Sequence, residues 1–409
     1  MSGMNFLEKL LHGVAVEWKA LGEVAKIYDG THQTPKYTSS GVPFVSVKNI
    51  RNLYTTKNFI SVDDFEKYKY KPQKDDLFMT RIGDIGTCAV VENDEPLAYY
   101  VTLTLIRVDK NSILPKFLKY VIESHIGKSE LYKRTLVHAA PIKINLGEIG
   151  KIIIPIPCPD NPEKSLAIQA EIVRILDTFT ELTAELTAEL TAELTDRKKQ
   201  YNYYRDWLLS FEEGEVEWKL LGDIAEINTG QKPTEIFNNV TDYDYINAGT
   251  TRSGYSASSN CEGDTVTTPS RGQGGIGYVG YQKTPFWLGP LCYKLRSTDK
   301  ALLINKYLFY FLQSESDLLL GLKKEGGVPA INKSDLAKLE IPVPSPEEQA
   351  RIVAILDKFD TLTHSISEGL PREIALRQKQ YEYYRDLLLT FPQPEEVKMH
   401  LATVEKSHE

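Results

Sequence analysis

The sequence predicts an α+β protein in which two α+β domains are separated by two long antiparallel helices that pair like a coiled coil. Three observations predict this class. The segment RKKQYNYYRDWLLSF at 197–211 returns as RQKQYEYYRDLLLTF at 377–391. An apolar stripe at helical spacing precedes each copy, and a region of short β-rich runs and turns precedes each stripe. The chain is therefore an internal duplication, and a pseudo-twofold arrangement is expected.

The repeated frame encloses two inserts that differ in length and sequence. IVRILDTF at 172–179 matches IVAILDKF at 352–359, and VEWKALGEVAKI at 16–27 matches VEWKLLGDIAEI at 216–227. IPIP at 154–157 matches IPVP at 341–344. The offset between partners is 180, 200 and 187 residues respectively, so the two inserts are unequal. A duplicated scaffold that carries two unlike units is suited to gripping two unlike targets.

Composition places the chain among ordinary globular proteins. It has 409 residues, a length that allows two to four domains. Of these residues 42% are apolar and 25% are charged, as in other globular proteins. No apolar run is long enough to cross a bilayer, and the opening MSGMNFLEKLLHG lacks a leader pattern, so we expect a cytoplasmic protein without membrane contact. The four cysteines form no CxxC pair and the seven histidines show no metal-ligand spacing, which disfavours zinc.

Net charge separates two kinds of nucleic-acid binding. The value of −8 argues against non-specific binding of polyanions. The charge is uneven, however, because residues 23–150 contain 18 Lys and Arg against 15 Asp and Glu, a balance of +3. Specific binding by the first insert is therefore compatible with the composition.

The first insert is predicted to span 22–157, after an N-terminal segment at 1–21. Its β-rich runs VPFVSV, CAVV and LAYYVTLTLIRV alternate with turn-rich loops, and a helical stretch follows near 116–130. The Ile and Pro punctuation IIIPIPCP closes it. These features predict an α+β domain with a curled sheet.

A single long helix is predicted over 163–211. Apolar residues recur there at steps of three and four without an intervening Gly or Pro, which allows up to about 48 residues and about 70 Å. The tetrapeptide TAEL occurs three times in succession within it. Because Ala and Glu favour helices and Leu continues the stripe, we interpret the repeat as a spacer rather than filler. The spacer residues are Thr183, Leu186, Thr187, Leu190, Thr191 and Leu194.

The second half repeats this plan. A second α+β insert is predicted over 218–344, a helical stretch over 347–391 and a tail over 392–409. Gly369 and Pro371 should kink or break that helical stretch. Matched apolar stripes predict that the two helices pack against each other. Packing of each helix only on its own insert is less favoured, because so long a helix overhangs a domain of this size.

Taken together, these features closely resemble a specificity subunit of a type I restriction-modification system, of the type IC-like subgroup with TAEL repeats. The resemblance covers nearly the whole chain. The family's central hairpin is similar to two segments, TRIGDIGTCAVV at 80–91 and PSRGQGGIGYVGY at 269–281. The family's stretch before the closing IPxP is similar to HAAPIKIN at 138–145 and EGGVPAIN at 325–332. The resemblance implies two target-recognition domains that each read half of a split DNA site.

The resemblance also implies partners. Two modification subunits, which methylate adenine, and restriction and translocase subunits would assemble with this chain on double-stranded DNA. S-adenosylmethionine, ATP and magnesium are expected on those partners and no cofactor on this chain. The residues agree, because the chain has no D/N-P-P-Y/F motif and GQGGIG at 272–277 lacks the Lys and Ser/Thr of a P-loop. We therefore expect a non-catalytic subunit.

Base readout needs donors and acceptors on loops, with Lys and Arg nearby to hold phosphates. The two inserts offer such sets in corresponding places, although each residue alone is more often a solvated loop residue. The DNA-binding candidates are Thr31, His32, Gln33, Thr34, Lys36, Ser46, Lys48, Asn49, Arg51 and Arg81 in the first insert, and Gln231, Lys232, Thr251, Arg252, Ser270, Arg271 and Gln273 in the second.

The repeated tyrosine blocks favour a protein interface over base stacking, because apolar residues lie beside them. The partner-binding candidates are Tyr201, Tyr203, Tyr204, Trp207, Leu208, Tyr381, Tyr383, Tyr384 and Leu387. A second interpretation stays open at this point, namely a two-headed adaptor that binds proteins and no nucleic acid. The acidic net charge slightly favours the adaptor, whereas the frame, spacer and hairpins favour DNA recognition.

Overall fold

The computed structural model describes residues 14–212, 214–272, 274–324, 328–365 and 368–392. The chain forms two compact units, one built from 1–187 and 375–409 and the other from 188–374. Each unit therefore combines one insert with parts of both helical stretches. The division within the first helix falls between Thr187 and Ala188, inside the TAEL repeats.

The first unit contains eleven described strands and five short helices before the long helix begins. The strands are β1 (Val16–Ala20), β2 (Ala25–Asp29), β3 (Val42–Val45), β4 (Phe59–Ile60), β5 (Leu77–Ile82), β6 (Asp84–Val90), β7 (Ala98–Tyr99), β8 (Leu103–Val108), β9 (Thr135–Leu136), β10 (Lys143–Ile144) and β11 (Ile153–Pro157). The helices are α1 (Leu21–Val24), α2 (Val62–Glu66), α3 (Pro115–Glu123), α4 (His125–Arg134), α5 (Leu146–Ile149) and the long α6 (Pro162–Leu209).

Three sheets organise this insert. The main sheet has the order β2-β8-β5-β10-β9, and β6 pairs with β5 as a hairpin. A small sheet, β4-β3-β7, contains a parallel pair between β3 and β7. Strand β1 pairs antiparallel with β11, so the repeated VEWK and IPxP motifs meet and close the insert.

The second unit repeats this order with different sequence. Its strands are β12 (Glu217–Leu220), β13 (Ala225–Thr229), β14 (Tyr243–Ile246), β15 (Gly254–Ser256), β16 (Thr265–Pro269), β17 (Gly280–Gln282), β18 (Trp287–Leu288), β19 (Cys292–Ser297) and β20 (Glu340–Val343). Its helices are α7 (Leu221–Ile224), α8 (Asn305–Ser314), α9 (Ser316–Gly321), α10 (Lys333–Leu336), α11 (Pro346–His364) and the first turns of α12 (Gly369–Leu388).

The sheets of the second unit match those of the first, except that the described part of its main sheet has four strands rather than six and lacks equivalents of β9 and β10. The main sheet is β13-β19-β16-β17, the small sheet is β15-β14-β18 with β14 and β18 parallel, and β12 pairs with β20. Corresponding strands therefore have corresponding partners in both inserts. The duplication read from the frame continues through the variable sequence.

Both helical stretches agree with the sequence expectation. Helix α6 is continuous for 48 residues through all three TAEL units. The second stretch is broken into α11 and α12, and α12 begins at Gly369 with φ +76°. A Cβ at Gly369 would overlap the backbone of Thr361, so the glycine is required where the chain turns back over the end of α11. The predicted break is confirmed.

In each unit the two helices pair antiparallel. In the first, the Thr180 hydroxyl lies 3.0 Å from that of Tyr381, and the Phe179 ring stacks on Tyr384 with centroids 5.9 Å apart. In the second, Tyr204 stacks on Phe359 at 5.6 Å. The predicted antiparallel pairing is therefore confirmed.

The end of each helical stretch is buried in the unit that holds the start of the other. Leu388, Leu389 and Phe391 belong to the core of the first unit, together with Ile172 and Leu176 of α6. Leu208 and Leu209 belong to the core of the second unit, together with Ile352 and Leu356 of α11. Packing of each helix only on its own insert is therefore wrong.

Candidate nucleic-acid interface

The loop after β2 begins in a fixed position. The backbone N–H of Thr31 donates to Tyr99 at 3.2 Å, and the N–H of Val101 donates back to the Thr31 carbonyl at 2.9 Å. A Cβ at Gly30 would overlap the Tyr100 carbonyl, so only glycine allows the two segments to approach this closely. The candidates at 31–36 therefore project from a defined origin on the small sheet.

Beneath this loop lies an ion pair. The Arg81 guanidinium donates to the Asp29 carboxylate at 2.5 Å and to the Ile144 carbonyl at 3.3 Å, and Arg81 is only 7% exposed. His32 lies 2.8 Å from the second oxygen of Asp29 and is itself exposed. The sequence predicts Arg81 as a DNA contact, but in the structure its guanidinium supports the loop from below. The Arg81 donors are taken up by Asp29 and by the Ile144 and Val101 carbonyls within the protein.

Four of the first-insert candidates share one polar groove of about 520 Å³. They are Thr31, Gln33, Thr34 and Lys36. The other side chains of the groove include Tyr68, which is partly buried. Burial raises the pKa of Tyr68 to about 12, so its hydroxyl stays protonated at neutral pH and can donate a hydrogen bond.

The candidates at 46–51 divide into two roles. The Asn49 side chain accepts a hydrogen bond from the backbone N–H of Ser46 at 3.2 Å and so closes a short 3₁₀ turn at Val47–Asn49. Lys48 and Arg51 are exposed. Arg51 lies in a different, larger groove of about 1150 Å³, which also contains Tyr120 and Tyr381. The structure therefore does not bring all the first-insert candidates into one groove.

The second insert positions its first loop in the same way. A Cβ at Gly230 would overlap the Leu288 carbonyl, and the N–H of Gln231 donates to that carbonyl at 3.1 Å. The Trp287 indole donates to the Gln231 carbonyl at 2.7 Å. The side chains of Gln231 and Lys232 are exposed beyond these backbone contacts.

The remaining second-insert candidates differ in accessibility. Arg252 is exposed, pairs with Asp244 at 3.0 Å and lies over the Tyr255 ring at 4.3 Å. Thr251 and Arg271 are also exposed. Ser270 is only 8% exposed, because its backbone bonds both to Leu291 and to Ile331 and holds it in the sheet. Gln273 lies outside the described residues.

Sequence reasoning missed one side of the first-insert groove. Asp64, Lys67, Tyr68, Lys69 and Tyr70 line it together with the candidates of the first loop. The alternating KYKYK run at 67–71 was the available signal. It lies far from the loop in sequence, so only the fold shows that the two segments meet.

The partner-binding candidates also divide by exposure. Tyr203, Trp207 and Tyr383 are 66%, 60% and 64% exposed, and Tyr204 and Tyr384 are exposed beside them. Tyr201 and Leu208 are 4% and 6% exposed, within the core of the second unit. Tyr381 and Leu387 are partly buried. The exposed aromatic residues are accessible at the surface, whereas Tyr201 and Leu208 pack in the core.

Metal-ligand clusters and membrane-spanning helices are both absent from the described part of the chain. Among those residues, no group of three or more His, Cys, Asp or Glu side chains could hold a metal ion. Within the same ranges, no helix is both long enough and apolar enough to cross a membrane.

Two loop-bearing α+β inserts on one duplicated helical frame define a two-domain recognition protein. The model of the type I restriction modification DNA specificity domain matches residues 14–196 and 213–376. The specificity subunit of type I restriction enzyme EcoR124I/EcoR124II from Escherichia coli is 40% identical over 97% of this chain and 100% of its own length. The Escherichia coli EcoprrI specificity subunit is 35% identical over 90% of this chain and 93% of its own.

Solved structures agree on the fold. A chain from work on complex assembly and conformational transition of the type I R-M system superposes with a TM-score of 0.64 at 17% identity and covers 91% of this chain and 97% of its own. The type I S subunit from M. genitalium gives 0.50 at 18% identity and covers 95% and 100%. At these identities the likeness concerns the fold alone.

The chain belongs to the type I restriction-modification DNA specificity family. It is a specificity subunit, the non-catalytic component whose family recognises DNA, while the catalytic activities belong to other subunits. The protein-binding adaptor is accordingly the weaker interpretation. The assignment to the subgroup with TAEL repeats stays a prediction.

Proposed function

We propose that this chain reads a bipartite, asymmetric DNA site, one half with each insert. The observation that carries the proposal is the strand order that the two inserts share around unlike loops, namely β2-β8-β5-β6 with β4-β3-β7 in the first and β13-β19-β16-β17 with β15-β14-β18 in the second. Equal folds place the two loop sets in corresponding positions, and unlike side chains give each set its own base preference. The DNA-binding candidates that are exposed are the ones we expect to contact bases or phosphates.

The same proposal includes partners. The exposed aromatic ends of the two helical stretches give two similar docking surfaces, one centred on Tyr203 and the other on Tyr383. Two similar surfaces would recruit two modification subunits per chain, with restriction and translocase subunits completing the complex. S-adenosylmethionine, ATP and magnesium would belong to those partners. We place this assembly in the cytoplasm, where it would meet DNA.

The TAEL repeats would act as a ruler between the half-sites. One unit of four residues adds about 6 Å and a net rotation of about 40° to a helix. One base pair of B-DNA advances about 3.4 Å and turns about 34–36°. The rotations nearly agree, so we expect rotation to be the tighter constraint and one TAEL unit to correspond to one base pair of spacer.

Exchange of inserts tests divided readout. Replacing residues 22–157 with the corresponding insert of a related subunit should change one half of the methylated sequence and leave the other intact. Replacing 218–344 is the matched control and should change the opposite half. Methylome sequencing of both exchanges gives the answer, and alteration of both halves by either exchange contradicts separate readout.

Binding to DNA itself is tested by gel shift of the chain assembled with a modification subunit. Wild-type complex should prefer duplexes carrying the sequence found by methylome sequencing over random duplexes. An assembled complex that shows no such preference overturns the proposed function and returns the adaptor interpretation to first place.

A further inference from the structure

Equivalent connections in the two inserts differ sharply in basic residues. In the first insert, β4 is joined to β5 through residues 61–76, which contain α2 and the KYKYK run. In the second, β15 is joined to β16 through residues 257–264, with the sequence ASSNCEGD and no Lys or Arg. The same place in the fold therefore carries lysines in one insert and none in the other.

Two of the three lysines in the KYKYK run are neutralised locally. Lys67 pairs with Asp64 at 2.6 Å, and Lys71 pairs with Glu66 at 2.5 Å. Lys69 is exposed, and within the described residues no carboxylate lies within ion-pair distance of it. Its ammonium group is consequently available to an external anion.

Aromatic stacking restrains the segment that carries Lys69. Tyr70 stacks on Tyr28 of β2 with ring centroids 4.0 Å apart and an interplanar angle of 22°. The Lys69 ammonium lies 5.1 Å from the centroid of the Tyr70 ring, a distance at which a cation is attracted to the ring face. The backbone of Lys71 accepts a hydrogen bond from Arg107 at 3.0 Å. The position of Lys69 is thus linked to the main sheet.

Lys36 belongs to the same groove and is exposed as well, without an ion-pair partner among the described carboxylates. Thr31, Gln33 and Thr34 line the same groove and offer hydrogen-bond donors and acceptors, whereas the two lysines offer positive charge. Cations beside neutral hydrogen-bonding side chains match a phosphate strand beside base edges.

We infer that Lys69, together with Lys36, holds the phosphate backbone of the first half-site, and that the second insert has no counterpart to Lys69. This inference rests on the proposed function. It adds a positioning contact from the segment between β4 and β5 that supports base readout by the loop after β2. Because phosphate contacts carry no sequence information, loss of Lys69 should weaken binding to all sequences alike.

The test is the salt dependence of DNA binding by the complex assembled with modification subunits. The logarithm of the DNA association constant K decreases linearly with log salt. The magnitude of this negative slope should decrease by about 1 for Lys69→Gln and by about 2 when Lys36→Gln is added. The matched control is Lys110→Gln, an exposed lysine of the same unit outside this groove that pairs with Asp75 at 2.7 Å. The control should keep the wild-type slope. The preference for specific over random duplex should be unchanged in all variants.

Three outcomes overturn the inference. One is a wild-type slope for Lys69→Gln. Another is an equal fall for Lys110→Gln, which would show a general charge effect. The third is loss of modification subunits from Lys69→Gln in native mass spectrometry, which would assign the segment to a protein partner. If wild type itself lacks sequence preference, the proposed function fails instead, so the two failures are distinguishable.

Discussion

The two inserts share the order of their common strands but support the loop after the first main-sheet strand differently. In the first, Asp29 at the end of β2 pairs with the buried Arg81 of β5. The second has Thr229 at the end of β13, and Ser270 directly after β16. A charged support beneath one loop is thus replaced by neutral residues beneath the other. The strands preserve where each loop begins, while the chemistry beneath and on each loop is free to vary.

The helical frame, unlike the loop supports, has the same polar contacts in both units. The Tyr120 hydroxyl donates to Asp177 at 2.7 Å, and the Tyr310 hydroxyl donates to Asp357 at 2.5 Å. Burial raises the pKa of both tyrosines, so each stays protonated and donates. Lys116 and Lys306 pair with the same two carboxylates.

A buried glutamine adds to each copy of the frame. Gln169 accepts from the backbone of Leu114 at the start of α3, and Gln349 accepts from Ile304 at the start of α8, at 2.9 and 2.8 Å. Both side chains are fully buried. Each glutamine therefore joins a long helix to its insert by satisfying an otherwise unpaired helix terminus.

The largest expected effect comes from rotating one part of the leucine stripe of α6 relative to the other, because the two units share this helix. Deleting two residues of the unit Thr191–Leu194 should rotate the leucine stripe by about 200° and abolish function or the stable helix pair. Deleting all four should keep both half-sequences and shorten the unspecified spacer by one base pair. Methylome sequencing measures both.

The spacer prediction can fail in two distinct ways. Unchanged spacing in the four-residue deletion contradicts the ruler. Full activity in the two-residue deletion contradicts the importance of the stripe. Either result would mean that the two inserts find their half-sites without a fixed helical phase.

The duplicated frame predicts equal and large losses in both units. Gln169→Leu and Gln349→Leu each leave buried backbone donors and acceptors unpaired, at about 2–4 kcal/mol of unfolding free energy in total. The exposed Gln380→Leu and Gln200→Leu are matched controls, with changes within about 0.5 kcal/mol. Hydrogen exchange of each unit in the assembled complex measures the loss. A loss in one unit only would show that the frame is not equivalent.

The different loop supports predict unequal losses. Arg81→Met leaves the partly buried Asp29 without its main partner, which should destabilise the first loop by about 1–3 kcal/mol. Ser270→Ala, at the corresponding site of the second insert, should change stability by less than about 0.5 kcal/mol. Affinity for half-sites scrambled on one side reports which loop is affected. Equal effects of the two variants would remove the distinction between the inserts.

The smallest expected effect concerns docking of partners. Tyr203→Ala and Tyr383→Ala should each weaken one of two modification-subunit sites by about 1 kcal/mol or more, since exposed aromatic residues are frequent interface anchors. Native mass spectrometry at low concentration should show assemblies with one modification subunit in both cases. Tyr132→Ala, also exposed but on α4, serves as the control. Retention of two subunits by both variants contradicts the docking surfaces.

The sequence by itself determined the frame. Periodic leucines without Gly or Pro predicted the 48-residue helix, and Gly369 with Pro371 predicted the break between α11 and α12. These features depend on neighbours a few residues apart, so local chemistry is sufficient to specify them. The repeated motifs likewise predicted two inserts and the family, because they are continuous in sequence.

The tertiary structure alone decided which candidates are accessible. Arg81 pairs with Asp29, which lies 52 positions earlier in the chain, Leu208 is buried in the core of the second unit, and Arg51 lies in a groove apart from Lys36. Lys69, which the sequence did not single out, lies in the groove with Lys36. The burial and grouping of these side chains depend on contacts between strands that are distant in sequence. A local sequence pattern does not contain the information needed to predict such contacts.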